Sequence, residues 1–572
     1  MSLSDECKHQ VPEDFFRPLH SNVTDLNLTM SNIYHGSQAI FANFSKLKTL
    51  DISIADRFTE CPADARELFE LMPPTLRNLT FRRWRSNNII NKTCIVTNET
   101  LGGLQKLRNL TAIDAMFSDF MFGEKLTRPL FTGFQKLASL NIAYVRFSII
   151  ETYPFDNCPT LTCLWMDGNS LGSRPFMLFK DRKESRLKRI SLIDAYIYSD
   201  YSITYDARSL LKAAPLQTID LRRNYIVTMP VFCDETLSNG LTKINLDRNY
   251  LSDIQSGGNL ADQCFCLKSL KTLTLSQNRI KNVRGLCQSI THLDLASNRL
   301  YQLWNDFNQE AISDLENLKE LNIGNNQIST LSSNFTAKMK NLKYFYVAHN
   351  NLTSIDLQSF HLNIMIETLD LRANFIQSFS PTVVERLENL KKLLLEDNVI
   401  TSIDQDLLPI LKRSSLKDFG IVGNPLSCDC DQEFFQKWLN STNKVRYTWK
   451  LICDKPEELK SQLIYAYKPR NFVCHWRQPI EFILSALGGV ILAGLLLNYG
   501  RKYYWHITHP IVVLKAIGRY LSDVHIEETC LYDAYVMYNS VSEEDQLWVT
   551  KDLRLAIEDG TRSGNSSMVS LS

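Results

Sequence analysis

Apolar residues recur along most of this chain in one spacing, L-x-x-L-x-L-x-x-N-x-L. Nine copies are clear: "LQTIDLRRNYI" from Leu216, "LTKINLDRNYL" from Leu241, "LKTLTLSQNRI" from Leu270, "ITHLDLASNRL" from Ile290, "LKELNIGNNQI" from Leu318, "LKYFYVAHNNL" from Leu342, "IETLDLRANFI" from Ile366, "LKKLLLEDNVI" from Leu390 and "LKDFGIVGNPL" from Leu416. Looser copies start at Val23, Leu47, Leu76, Leu107, Leu137, Leu161 and Leu187. The x-L-x-L portion alternates with the period of a strand, so its leucines point to one side and the residues between them to the other. One such unit cannot bury its own apolar face. Units stacked in series can, each covered leucine contributing roughly 1.5–3 kcal/mol.

A period of about 20 to 29 residues is that of leucine-rich repeats, and it predicts an α/β solenoid of roughly sixteen turns, curved into a horseshoe with a concave sheet. The asparagine of each copy stands where the chain leaves the strand and has no ladder to satisfy its backbone, and its amide both donates and accepts there. Asn278, Asn298, Asn326, Asn350, Asn374 and Asn398 are therefore expected to form a buried ladder. Outward strand positions include Asp220, Arg222, Lys243, Asp247, Lys392 and Glu396, of mixed sign. The strip Asp294, Glu320, Tyr344, Tyr346, Asp370 and Arg372 is the candidate ligand face.

After the last copy comes "NPLSCDCDQEFFQKWLN", then Cys453 and Cys474. A solenoid end needs a cover, and Phe434, Phe435, Trp438 and Leu439 fall at helical spacing. Cys428, Cys430, Cys453 and Cys474 are expected to be disulfide-bonded in this cap; a zinc site is the competing reading, but their spacing fits paired metal knuckles poorly. "FILSALGGVILAGLLLNY", Phe482 to Tyr499, carries no charge, and at ~1.5 Å per residue its length of ~27 Å is just enough for a bilayer core of ~30 Å with help from flanking anchors. Arg501 and Lys502 follow it, which marks the C-terminal side as cytoplasmic.

Charge decides little, since 63 basic residues face 62 acidic ones; no global field points to nucleic acid or an anionic surface. Cysteine decides more: of the 14, all but Cys530 precede residue 475, as in an oxidising compartment. The glycosylation triplets N-x-[ST] at Asn22, Asn27, Asn43, Asn78, Asn91, Asn98, Asn109, Asn334, Asn351 and Asn440 agree. The amino terminus, "MSLSDECKHQVPEDFF", has no basic region followed by an apolar stretch and is no signal peptide. An incomplete chain that has lost its leader and half of an amino-terminal cap is expected.

The array, the disulfide cap, the single span and "YDAYVMYN" together resemble a Toll-like receptor over essentially the whole chain. Tyr532, Asp533, Ala534, Tyr535, Val536 and Tyr538 match the first motif of that family's cytoplasmic TIR domain. After Gly560 the resemblance stops, and one strand with both edges uncovered is not expected to fold or signal by itself. The implied organisation is a partial amino-terminal cap (1–20), the solenoid (21–426), the cysteine-rich cap (427–476), the transmembrane helix (480–500), a juxtamembrane segment (501–529) and an incomplete α/β TIR domain (530–572).

The resemblance implies a single-pass type I membrane receptor of innate immunity, at the plasma membrane or in the endosome. Its expected partners are a microbial or danger-associated ligand, a homo- or heterodimer with Toll-like receptors, and TIR adaptors if the TIR domain is complete. No catalysis and no cofactor are expected. The alternatives are a signalling-deficient decoy that binds ligand or a partner receptor, and a leucine-rich-repeat adhesion protein.

Overall fold

The computed structural model describes residues 13–30, 41–54, 69–82, 104, 106–116, 125–145, 147, 149–151, 153–172, 185–199, 215–232, 240–254, 259–281, 283, 285–300, 315–331, 336, 338–355, 360, 364–466, 481–499, 501–502, 547 and 551. The chain divides into two units, Met1–Cys474 and His475–Ser572, each described by itself below. The first TIR motif, Cys7 and Cys474 lie outside the described residues.

The first unit is built on short strands. They are β1 (Asp25–Met30), β2 (Thr49–Ile54), β3 (Asn78–Arg82), β4 (Ala112–Asp114), β5 (Lys125–Leu126), β6 (Ser139–Asn141), β7 (Ile149–Ile150), β8 (Cys163–Trp165) and β9 (Arg189–Ser191). Then come β10 (Thr218–Asp220), β11 (Lys243–Asn245), β12 (Thr272–Thr274), β13 (His292–Asp294), β14 (Glu320–Asn322), β15 (Tyr344–Tyr346), β16 (Thr368–Asp370), β17 (Lys392–Leu394) and β18 (Asp418–Gly420). All but β5 and β7 form one 16-stranded sheet in chain order, each strand parallel to the next, and β5 and β7 pair separately. The leucine-rich-repeat solenoid expected from the spacing is this sheet.

Register explains the residue types. Leu50, Leu79, Ile113, Leu140 and Leu164 stand side by side in one row, which continues to Phe419 with no member more than 3% exposed. One copy is phased differently from the sequence reading: in the turn placed at Leu107, the repeat positions belong to Leu110, Ile113 and Ala115, all buried, with β4 centred on Ile113. Leu107 belongs instead to the turn entering the strand.

The asparagine ladder is present and buried. Asn278 Nδ2 donates to the carbonyls of Leu246 in the preceding turn (3.0 Å) and Leu275 in its own (2.9 Å), while its Oδ1 accepts the Leu251 N–H (3.0 Å). Asn298, Asn326, Asn350, Asn374, Asn398 and Asn424 repeat the pattern. Each amide thus joins two turns and supplies partners to backbone groups of both. The residue before it sits at positive φ in turn after turn: Gln277 at 54°, Ser297 at 56°, Asn325 at 52°, His349 at 56°, Ala373 at 50°. That conformation costs a side chain about 1–2 kcal/mol, a strain the amide bonds oppose. In the last turn a glycine, Gly423 at 79°, takes the position.

Helix α1 (Glu433–Ser441) covers the end of the array. Trp438 stacks on Phe435 at 5.8 Å and meets Phe419 of β18 edge-on at 5.9 Å, so the cap rests on the last strand's inward ring. Phe434 is only partly buried. A Cys428–Cys453 disulfide ties the following loop, and Cys430 is disulfide-bonded too.

In the second unit, α2 (Glu481–Tyr499) is 19 residues long with a mean hydropathy of 2.0. Its side chains are exposed throughout, and its length and composition suffice to cross a bilayer.

Candidate ligand-binding face

The outward residues of the sheet fall into register rows. Across β13 to β16 one row reads His292, Glu320, Tyr344, Thr368 and the next Asp294, Asn322, Tyr346, Asp370. Neighbouring strands lie about 4.8 Å apart. The six sequence candidates therefore converge on one patch four strands wide, Arg372 joining it from just beyond β16.

Within the patch their roles differ. Tyr344 and Tyr346 are half-buried, each with part of its ring open to solvent. Burial, with the negative charge of Glu320 behind it, pushes the Tyr346 phenol up and keeps it a hydrogen-bond donor. Burial also raises the Asp294 carboxyl, the Asp247 and Glu320 charges adding to it and the Ala296 N–H (2.9 Å) opposing. His292 Nε2 stands 3.9 Å from Glu320. Asp370 is 3% exposed and its carboxylate is engaged by Arg372, so Arg372 is the member of that pair presented to solvent. Next to them, burial raises the Glu396 carboxyl, whose Oε2 has no hydrogen-bond partner among the described residues. Among the described residues no group of three or more His, Cys, Asp or Glu is placed to hold a metal ion. The patch is suited to contact, with phenols, carboxylates and one guanidinium.

A second exposed surface flanks the asparagine ladder, where Tyr196, Tyr225 and Tyr250 stack in succession at 6.1 and 5.9 Å and Arg279 lies 4.5 Å over the last ring. The residues lie in consecutive turns, so their contact was hidden in the linear order. The signal that could have found it is a tyrosine directly after the ladder asparagine, as at Asn224-Tyr225 and Asn249-Tyr250.

Of the glycosylation triplets, Asn22, Asn27, Asn43, Asn78, Asn109, Asn351 and Asn440 are described and exposed. Asn91, Asn98 and Asn334 lie outside the described residues. Cys264 is bonded to Cys287 rather than to its near neighbour Cys266, itself in a disulfide. Cys158 and Cys163 are free thiols, and burial pushes that of Cys158 up to about 12.

A leucine-rich-repeat family model matches residues 288–352 and 316–363. Toll-like receptor 4 of Bos taurus is 24% identical over 96% of this chain and 64% of its own length. Toll-like receptor 8 of Homo sapiens is 23% identical over 96% of this chain and 51% of its own. The chain thus spans between half and two thirds of these relatives. Among solved structures, the array superposes on a TLR13–ssRNA13 complex with a TM-score of 0.58 at 19% identity, covering 80% of this chain and 65% of that one. A Toll–Spätzle complex from Drosophila gives 0.57 at 19%, covering 81% and 62%. At these identities the structural likeness establishes the fold.

Proposed function

From a chain whose homologues over most of its length are Toll-like receptors, we propose a single-pass receptor of innate immunity. Its solenoid (21–426), closed by the cysteine-rich cap (427–476), binds ligand on the side of the membrane away from the cytoplasm, at the cell surface or in the endosome. Helix α2 crosses the bilayer, and the segment beyond it resembles the start of a TIR domain, which where complete recruits TIR adaptors when two chains are brought together. Ligand contacts made only by the paired receptor drive that association by mass action.

The observation that carries the reading is the patch from Asp294 to Arg372. Two half-buried phenols and an exposed guanidinium are the side chains that dominate protein contact energetics, and the phenols stand on β15, paired on both sides within the sheet. The solved structures with this fold were captured as a TLR13–ssRNA13 complex and a Toll–Spätzle complex, which supports a macromolecular ligand.

The test challenges cells expressing the full chain with single-stranded RNA, microbial lipid and protein ligands, and reads co-precipitation of two differently tagged copies. One class is expected to raise pairing, and Asp294→Lys with Arg372→Glu to abolish the rise. An unchanged response in the double variant rules the patch out.

A further inference from the structure

Among the described residues, two of the N-x-T triplets fall inside sheet strands rather than in connections. In β3, Asn78 is exposed, Leu79 is 1% exposed and Thr80 is half-buried. The two-residue spacing of the triplet equals the strand period, so Asn78 and Thr80 share the outward face. In β1, Asn27 is exposed beside the buried Leu28. Asn27 pairs with Asp51, which pairs with Thr80. Two strand spacings and two residues thus separate the asparagines, roughly 12 Å on the same face.

A pocket of about 230 Å³ opens beside Asn78, with Thr80, Asp114, Ser139, Asn141 and Trp165 in its walls. It is smaller than the ~300–1,000 Å³ of sites that enclose a drug-sized ligand. The Trp165 indole closes one end, and Asn141 and Asp114 on the next two strands set a polar network beside it. Asp114 Oδ2 pairs with Arg82 (2.7 Å), and its Oδ1 accepts from Asn141 Nδ2 (3.0 Å). An aromatic surface beside fixed amides and carboxylates is the environment a sugar ring uses, apolar C–H groups on the ring and hydroxyls on the polar edge. Among the described residues the Asn78 amide is lightly held, its Nδ2 reaching Thr49 Oγ1 at 3.5 Å and its Oδ1 accepting from Thr111 at 3.3 Å.

We propose that Asn27 and Asn78 carry N-linked glycans, the first sugars on Asn78 lying in the pocket that ends at Trp165. These glycans close the face from β1 to β8 to macromolecular ligands and leave β13 to β16 as the contact surface. The inference rests on the extracytoplasmic placement of the array proposed above. A glycan is bulky and strongly hydrated, so a macromolecule reaching those strands must displace it.

Glycopeptide mapping of the full chain expressed in a glycosylating cell line, with enzymatic deamidation marking occupied sites, tests the modification. Occupancy at Asn27 and Asn78 is expected. Occupancy at the exposed off-sheet sites Asn22, Asn43, Asn109, Asn351 and Asn440 with Asn27 and Asn78 bare overturns this proposal alone. If none is occupied, the extracytoplasmic reading falls with it.

Coverage has a built-in reporter, Cys163, a half-exposed free thiol in the register row Asn78, Ala112, Ser139, Cys163, about 14 Å from Asn78. Asn78→Gln and Thr80→Ala each remove the triplet by a different residue. Both are expected to speed labelling of Cys163 by a polyethylene-glycol maleimide several-fold, read by peptide mapping, with the rate for N-ethylmaleimide unchanged. Equal rates for the bulky reagent in wild type and both variants overturn the coverage. So does a parallel rise with the small reagent, which would report loosened structure.

Discussion

Arg372 grips Asp370 two residues earlier with both arms of its guanidinium, Nε to Oδ1 at 2.9 Å and Nη2 to Oδ2 at 2.6 Å. Arg222 and Asp220 repeat the arrangement, with Nη2 to Oδ2 at 2.8 Å. The partners are unequal: the Asp370 side chain is 4% exposed and that of Arg372 46%.

Removing the exposed partner should therefore cost more than removing the buried one. Arg372→Ala strands a buried carboxylate beside Glu396, and a loss of about 1–3 kcal/mol is expected. Asp370→Asn leaves a guanidinium that water reaches, and the loss should be about 1 kcal/mol or less. Urea unfolding midpoints of the two variants check the order.

Burial raises the carboxyls of Glu396 and Asp294 above their ordinary values of 4.5 and 3.8. The folded chain then holds protons at a pH where the unfolded chain has released them. The stability these groups contribute is full below the ordinary values and is lost as pH rises through the raised ones. Glu396→Gln should accordingly raise the unfolding midpoint at pH 7 and lose that advantage below about pH 4.5. The opposite contribution comes from Glu367, lowered by its hydrogen bond to Lys391; it is solvent-screened, and the Gln variant isolates the Glu396 effect from it.

Asn326→Ala removes donors to the Leu295 carbonyl (3.1 Å) and the Ile323 carbonyl (3.0 Å), and the acceptor of the Leu300 N–H (3.1 Å). Backbone groups of two adjacent turns lose their partners inside the core, and a cost of about 2–4 kcal/mol is expected. Hydrogen exchange should quicken first at Leu300 and in β13 and β14, since each repeat contacts only its neighbours. Faster exchange spread evenly along the array would contradict that locality.

Trp438→Ala should cost about 3–5 kcal/mol, because the indole fills the space between Phe435 and Phe419. Proteolysis is expected to begin near β18 and move inward. Cleavage that began at the other end of the array would refute the capping role.

The repeat was legible in the sequence because a strand's two-residue period and a fixed repeat length force the leucines inward whatever surrounds them. The buried asparagines were legible for the same reason, since a turn recurring in every repeat has the same unsatisfied backbone in each. The apolar helix was fixed by length and composition alone.

What the linear order could not give is which outward residues meet. Asn78 and Trp165 stand 87 positions apart yet line one pocket, because strand register brings together residues from successive turns. The Tyr196, Tyr225 and Tyr250 stack, the Cys264–Cys287 bond and the withdrawal of Asp370 behind Arg372 likewise depend on neighbours in other turns or on burial. The fold could be read from the order of residues, since it follows from periodicity within each repeat. The surface could not, because a surface is made of contacts between repeats, and those follow from register.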